Sequence, residues 1–140
     1  MALKYLVDTN VISELERAIP NVEVAAKFQA HQQEVALAAI TWHELLYGYH
    51  RLPTSTRKTR IGQFLLHVVA PLLPILPFDA LAADWLARER ARLTGMGQPP
   101  AFADGQIAAI AAANDLILVT RNVQDFASFA DLTIEDWFEE

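Results

Sequence analysis

Tyr5-Leu6-Val7-Asp8-Thr9-Asn10-Val11-Ile12 is the stretch on which the fold turns. An apolar run from Tyr5 to Val7 stops at the carboxylate of Asp8, and a helix-like stretch follows. The event recurs along the chain. Val35 to Ile40 runs apolar and gives way to Thr41-Trp42-His43-Glu44. Leu116 to Val119 gives way to Thr120-Arg121-Asn122-Val123-Gln124-Asp125, and Asp104 stands just ahead of the helical run Ile107 to Ala113. Strands alternating with helices predict an α/β domain: a central parallel sheet of four or five strands with helices on both faces. The continuously apolar Leu116–Val119 reads as a strand buried on both sides. Acids just past the ends of such strands can converge in the crevice where open α/β sheets bind ligands.

Working outward, the pattern predicts a strand over Lys4–Val7, a helix over Val11–Arg17 stopped before Pro20, and a second helix over Val22–Gln32. A strand over Val35–Ala39 follows, then a helix opened by Thr41 and reaching about Leu52, before Pro53. Residues 57–70 show the clearest helical period, with Ile61, Phe64, Leu65, Val68 and Val69 on one face and Pro71 and Pro74 as terminators. Ile75–Phe78 reads as a short strand. Ala80–Leu93 reads as a helix with Leu81, Trp85, Leu86 and Leu93 inward and Arg88, Arg90 and Arg92 outward. Thr94–Pro100 is a loop. Ala103–Ala113 is a helix whose small residues allow close packing on the sheet, and a last short helix and an edge strand near Leu132–Ile134 end the chain. Residues 1–140 form one domain on this reading.

The 140 residues suit a single domain, and 53% hydrophobic content supports a full core. No apolar run approaches the ~18–20 residues of a membrane span; Phe64–Leu76 is broken by His67, Pro71 and Pro74. No signal peptide is visible. Zero cysteines exclude disulfides and thiolate metal sites and agree with a reducing compartment, so a cytoplasmic location without a membrane is expected. The net charge is −6, unevenly spread: residues 1–70 hold seven basic and six acidic side chains, residues 71–140 four and eleven. So acidic a chain is a poor passive binder of nucleic acid. A nucleic-acid role then rests on local basic groups, a metal or a partner. The local basic stretch is Arg51 to Arg60, with Arg51, Arg57, Lys58 and Arg60, which also reads as a solvated loop and helix start.

Each acid has an ordinary explanation, since helix first turns favour carboxylates. Thr41-x-x-Glu44 matches a capping box, Asn122-x-x-Asp125 is similar, and Asp8 or Asn10 suits a helix cap. Together, Asp8, Glu44, Asp104 and Asp125 point elsewhere. Two carboxylates ~4 Å apart repel by roughly 4 kcal/mol at an effective dielectric of ~20. A converging set therefore needs protons or cations, and oxygen-only donors favour Mg²⁺ or Mn²⁺. The four histidines, His31, His43, His50 and His67, show no paired zinc spacing. The hydroxyls of Thr9 and Thr120 and the amides of Asn10 and Asn122 either orient the carboxylates or serve turns and caps. Arg121 suits a bidentate phosphate contact or a surface ion pair.

These stretches resemble the PIN domain, and within it the VapC-type toxins of bacterial toxin–antitoxin pairs. The likeness runs through Leu6–Ile12, Ile40–Gly48, Phe102–Ala109 and Leu116–Phe126, four motifs in order. The resemblance implies a Mg²⁺- or Mn²⁺-dependent endoribonuclease in which one or two ions on Asp8, Glu44, Asp104 and Asp125 activate a water, with Thr120 assisting. Asn10, Arg121, Asn122, Arg51, Arg57 and Arg60 are then the candidate RNA contacts. It also implies a homodimer and a VapB-like antitoxin filling the groove, with Trp42, Tyr47 and Tyr49 as candidate contacts. The tail Leu132–Trp137 is similar to toxins that cut initiator transfer RNA, whereas Arg121 resembles the FitB-like branch; the RNA is transfer RNA, another structured RNA or messenger RNA. Two other readings stand beside this one. A phosphatase using Asp8 as nucleophile would want an acid where Asn10 stands and a lysine that residues 71–140 lack. A non-catalytic binding module would keep the acids as helix caps.

Overall fold

Three apolar runs become the middle of a sheet because each presents side chains to two helical layers. The computed structural model describes residues 2–139. Strands β1 (Tyr5–Val7), β2 (Val35–Ala38), β3 (Ile75–Leu76), β4 (Ile117–Val119) and β5 (Ile134–Glu135) form one all-parallel sheet in the order β3-β2-β1-β4-β5. Alternate residues face opposite layers. Leu6, Ala36, Ala38 and Leu118 meet helices α6 (Ala80–Gly95), α7 (Phe102–Ala113) and α8 (Val123–Phe126). Tyr5, Val7, Val35, Leu37 and Val119 meet α1 (Thr9–Glu16), α2 (Val22–His31), α3 (Ala39–His50) and the segment that continues α4 (Thr56–Phe64). The alanines of β2 face the Ala-rich stretch of α7, where Ala108, Ala109 and Ala111 are fully buried, so helix and sheet approach closely.

Three expectations need correction. Thr41 does not open α3. The chain turns from β2 into helix at Ala39 with no intervening loop, the N-cap is Ala38 without a side-chain cap, and Thr41 lies one turn inside, fully buried. The capping box with Glu44 therefore does not form, and Asn122 likewise precedes α8 without capping it by its side chain. Pro71 does not end the helix of residues 57–70. A π-helical turn, Leu65–Val69, carries it into a final turn, α5 (Ala70–Leu72). The wider turn spaces the buried residues by four, as Leu65, Val69 and Leu73, and leaves Val68 40% exposed. Leu81, expected inward, is 71% exposed; Ala82 takes the inward place at the start of α6.

Candidate active site

The strand order reverses between β1 and β4, the position at which parallel sheets open a crevice at their carboxyl ends. Asp8 lies at the mouth of that crevice. Its amide donates to the carbonyl of Val119 (2.9 Å), which locks the end of β1 to the end of β4. Asp8 is the N-cap of α1, with Oδ1 accepting from the Thr9 amide (2.7 Å). Its Oδ2 accepts from the Thr120 hydroxyl across the crevice (2.9 Å). Thr120, fully buried, in turn accepts the Asn122 amide (3.0 Å), and Asn10 reaches both Asp8 Oδ2 and Thr120 Oγ1 at 3.4 Å. Both explanations of Asp8 thus hold at once: it caps a helix and faces the cleft.

Glu44, in the second turn of α3, and Asp104, in the first turn of α7, come to the same cleft, about 390 Å³, with Thr9, Asn10 and Asn122. Asp125, exposed in the first turn of α8, stands at the rim and acts by charge. Burial pushes the Asp8 carboxyl above its ordinary value and repulsion from Asp125 adds to this, against the pull of the Thr9 amide and Thr120 hydroxyl. Asp104 is raised by burial, then by Asp125, Asp8 and Glu44. Glu44 is raised by burial and by Asp8, with His43 and Thr9 opposing. The acids therefore feel one another. Among the described residues, however, no group of three His, Cys, Asp or Glu side chains stands closely enough to cage an ion unaided.

A second depression, about 380 Å³, opens from the cleft between α1, α3 and α4 and shares Thr9, Ser13 and Glu44 with it. Its floor is apolar, including Ile12, Leu45 and Phe64, and Tyr49, Arg51 and Arg57 line it. Arg60 is not available there in the same way, since it pairs with Glu16 (3.0 Å). Trp42 and Tyr47 do not reach this groove; they line a separate recess on the other side of α3 with His43 and His50.

Residues 5–132 match the PIN domain family. The chain belongs to the PIN domain family. It is 36% identical over 135 residues to VapC ribonuclease Y4jK of Sinorhizobium fredii, covering 94% of this chain and 96% of that protein. It is 29% identical over 135 residues to the tRNA(fMet)-specific endonuclease VapC of Shigella flexneri, covering 96% and 98%. The crystal structure of FitAcB from Neisseria gonorrhoeae superposes with a TM-score of 0.88 at 35% identity, over 97% of this chain and 99% of that one.

Sequence reasoning missed two buried acids of this PIN domain, Glu14 and Glu89. Glu14 accepts the Asn21 amide (2.8 Å) and pairs with Arg17 (3.2 Å), and both hold its carboxyl below the ordinary range, the amide most. Glu89 accepts Arg92 twice at 2.8 Å and the Ala130 amide at 2.7 Å, and is lowered for the same reasons, Arg92 first. Neither faces the cleft; each ties a helix to a neighbouring turn.

Proposed function

We propose that this PIN domain is a divalent-metal-dependent endoribonuclease toxin held in check by a VapB-like antitoxin. The observation that carries the reading is the meeting of Asp8, Glu44 and Asp104 in one switch-point cleft, each with raised proton affinity. The donors fit a hard cation, since carboxylates, hydroxyls and amides offer oxygen and no sulfur. The Thr9 hydroxyl, beside Glu44 in the cleft, adds a further oxygen to this set. Mg²⁺ is commonly held by one or two carboxylates and retains waters, so a cleft without a closed three-acid cage remains suited to it. Asp8 and Asp104 would hold the ion, with Glu44 and Asp125 reaching it through water. When bound, the ion neutralises phosphodiester charge and lowers the pKa of a water. The Thr9 amide and the Thr120 hydroxyl each hold one oxygen of Asp8, and so fix the carboxylate's orientation at the mouth of the cleft. Glu44, lining the cleft with its proton affinity raised, is placed to accept a proton from an attacking water.

Transfer RNA is the first substrate class to test, because a relative alike over nearly the whole chain is named for it. Arg51 and Arg57 line the route into the cleft from the adjoining groove. The antitoxin reading draws on that groove, whose apolar floor ends at Glu44, and on a similar fold solved as VapBC-5, a member of the VapBC family of toxin–antitoxin systems. A homodimer belongs to the same proposal and would extend the basic rim.

The test is direct. Protein purified free of any partner is offered transfer RNA with Mn²⁺, Mg²⁺ or EDTA. Cleavage with either ion and none with EDTA is expected. Asp8→Asn and Asp104→Asn should each lower the rate on the order of 100-fold or more, as loss of several kcal/mol of metal-assisted stabilisation implies, while remaining folded. Cleavage that persists in both variants would be a contaminant's and would overturn the reading.

A further inference from the structure

The polar side chains that line the cleft itself are acids, hydroxyls and amides, yet the strand that must lie there is a polyanion. One cation is fixed at the rim. Arg121 is exposed and sits between Thr120, bonded to Asp8, and Asn122, which lines the cleft. Its amide donates to Asn10 Oδ1 (3.2 Å), so its backbone is tied to the same network. Its guanidinium lies 4.6 Å from the centroid of the Phe138 ring, a cation–π distance. Among the described residues, no carboxylate lies within 4.0 Å of it. Glu14 feels its charge, but the Glu14 oxygens are already occupied by Asn21 and Arg17.

The ring that holds Arg121 is itself anchored. Trp137, 2% exposed, packs edge-on against Tyr5 at 5.2 Å and donates to Glu135 (3.1 Å). The Phe138 amide donates to Asp136 (2.8 Å), and Lys27 holds the Glu139 carbonyl at 2.8 Å. The tail is thus pinned on both sides of Phe138. A stacked guanidinium keeps its hydrogen-bonding edge free and loses little further rotamer freedom when it binds.

We infer that Arg121, held on the Phe138 ring, forms a second phosphate subsite of the cleft, taking the non-bridging oxygens of a phosphodiester flanking the bond that is cut, with Phe138 as its positioning residue. The inference rests on the RNA reading above, and its test separates the two.

Cleavage of one transfer RNA is followed with Mn²⁺ between about 50 and 200 mM salt. The proteins are the wild type, Arg121→Ala, Phe138→Leu, Phe138→Tyr and the Arg121→Ala/Phe138→Leu double variant. Arg121→Ala is expected to raise KM about tenfold with kcat within about twofold, the mark of lost ground-state binding. Its salt slope should fall by about 0.7, one phosphate contact on a single strand. Phe138→Leu should raise KM severalfold and lower the slope by no more than Arg121→Ala does, Phe138→Tyr should match the wild type, and the double variant should be no weaker than Arg121→Ala alone. An active wild type whose KM and salt slope ignore Phe138→Leu overturns the inference and leaves the ribonuclease reading standing. So does a double variant in which the two effects multiply. A wild type inert toward RNA removes the ribonuclease reading and the subsite with it.

Discussion

Thr120 shows how much one side chain can do. It is 0% exposed, gives its proton to Asp8 and accepts the Asn122 amide, so one hydroxyl fixes a carboxylate from β1 against a turn after β4. Thr120→Val keeps the shape and removes both bonds, with the 3.4 Å contact from Asn10. It should cost about 1–3 kcal/mol of stability, because the Asn122 amide loses its partner. Cleavage should fall about 10- to 100-fold, as loss of a carboxylate-orienting group does at metal sites, with Thr120→Ser recovering most of it. A valine variant as active as the wild type would mean that Asp8 needs no orienting. Asp8 and Thr120 were legible because each follows an apolar run, and Asp104 because it stands just ahead of a helical one. Glu14 and Glu89 were not, because acids on helices look solvated and their partners come from a turn at Asn21 and a loop at Ala130 that no local pattern reveals. Glu89→Ala would leave the Ala130 amide without its acceptor and Arg92 with the Ser128 carbonyl as its only oxygen acceptor. A loss of about 2–3 kcal/mol, seen as a midpoint several degrees lower, is expected.

At the level of elements, the strands were readable because a strand facing two helical layers must be apolar throughout, as Val35–Ala38 and Ile117–Val119 are. Helix starts and phases were harder. Thr41 carries the residue type of a cap, yet α3 begins at Ala39, and this places Glu44 in the second turn, facing the cleft instead of its own N-terminus. The π turn at Leu65–Val69 shifts the inward face in a way that a 3.6-residue period cannot anticipate. Helix packing also sets the position of Asp104. Gly105, next in the chain, is buried against α6, and a Cβ there would stand 2.8 Å from Leu86 Cδ1. Leu86 is 3% exposed in the core and has little room to yield. Gly105→Ala gains up to about 1 kcal/mol in helix propensity but forces overpacking worth about 1–3 kcal/mol. A net fall in thermal midpoint with reduced cleavage is expected. A stabilised, fully active alanine variant would show that α6 and α7 separate freely and do not hold Asp104 in place.

For the whole molecule, the cleft acids and the structural acids pull stability in opposite directions with pH. Asp8, Glu44 and Asp104 bind protons more tightly folded than unfolded. Their penalty is absent while they are protonated in both states. It enters as pH rises from the ordinary values of 3.8 and 4.5 through the raised folded ones, and is complete above them. Glu14 and Glu89 are held low, so their contribution is complete above 4.5 and is lost as pH falls below it. The metal-free protein should therefore lose stability as pH rises through the raised values of the cleft acids, and lose it again as pH falls below the ordinary value of 4.5 for Glu14 and Glu89. A divalent ion relieves only the first group and competes with protons for it, so Mn²⁺ should raise the midpoint at pH 7.5 and do much less at about pH 5. At 100 times its dissociation constant the ion would add about 2.7 kcal/mol. Asp104→Asn, by removing one repelling charge, should raise the midpoint in EDTA at neutral pH by about 2–4 °C and shrink the Mn²⁺ shift. Thermal melts of both proteins with EDTA and with Mn²⁺, at the two pH values, check all of this. A midpoint indifferent to Mn²⁺ at pH 7.5 would favour a binding module over a nuclease, because an ion that binds the folded state must stabilise it.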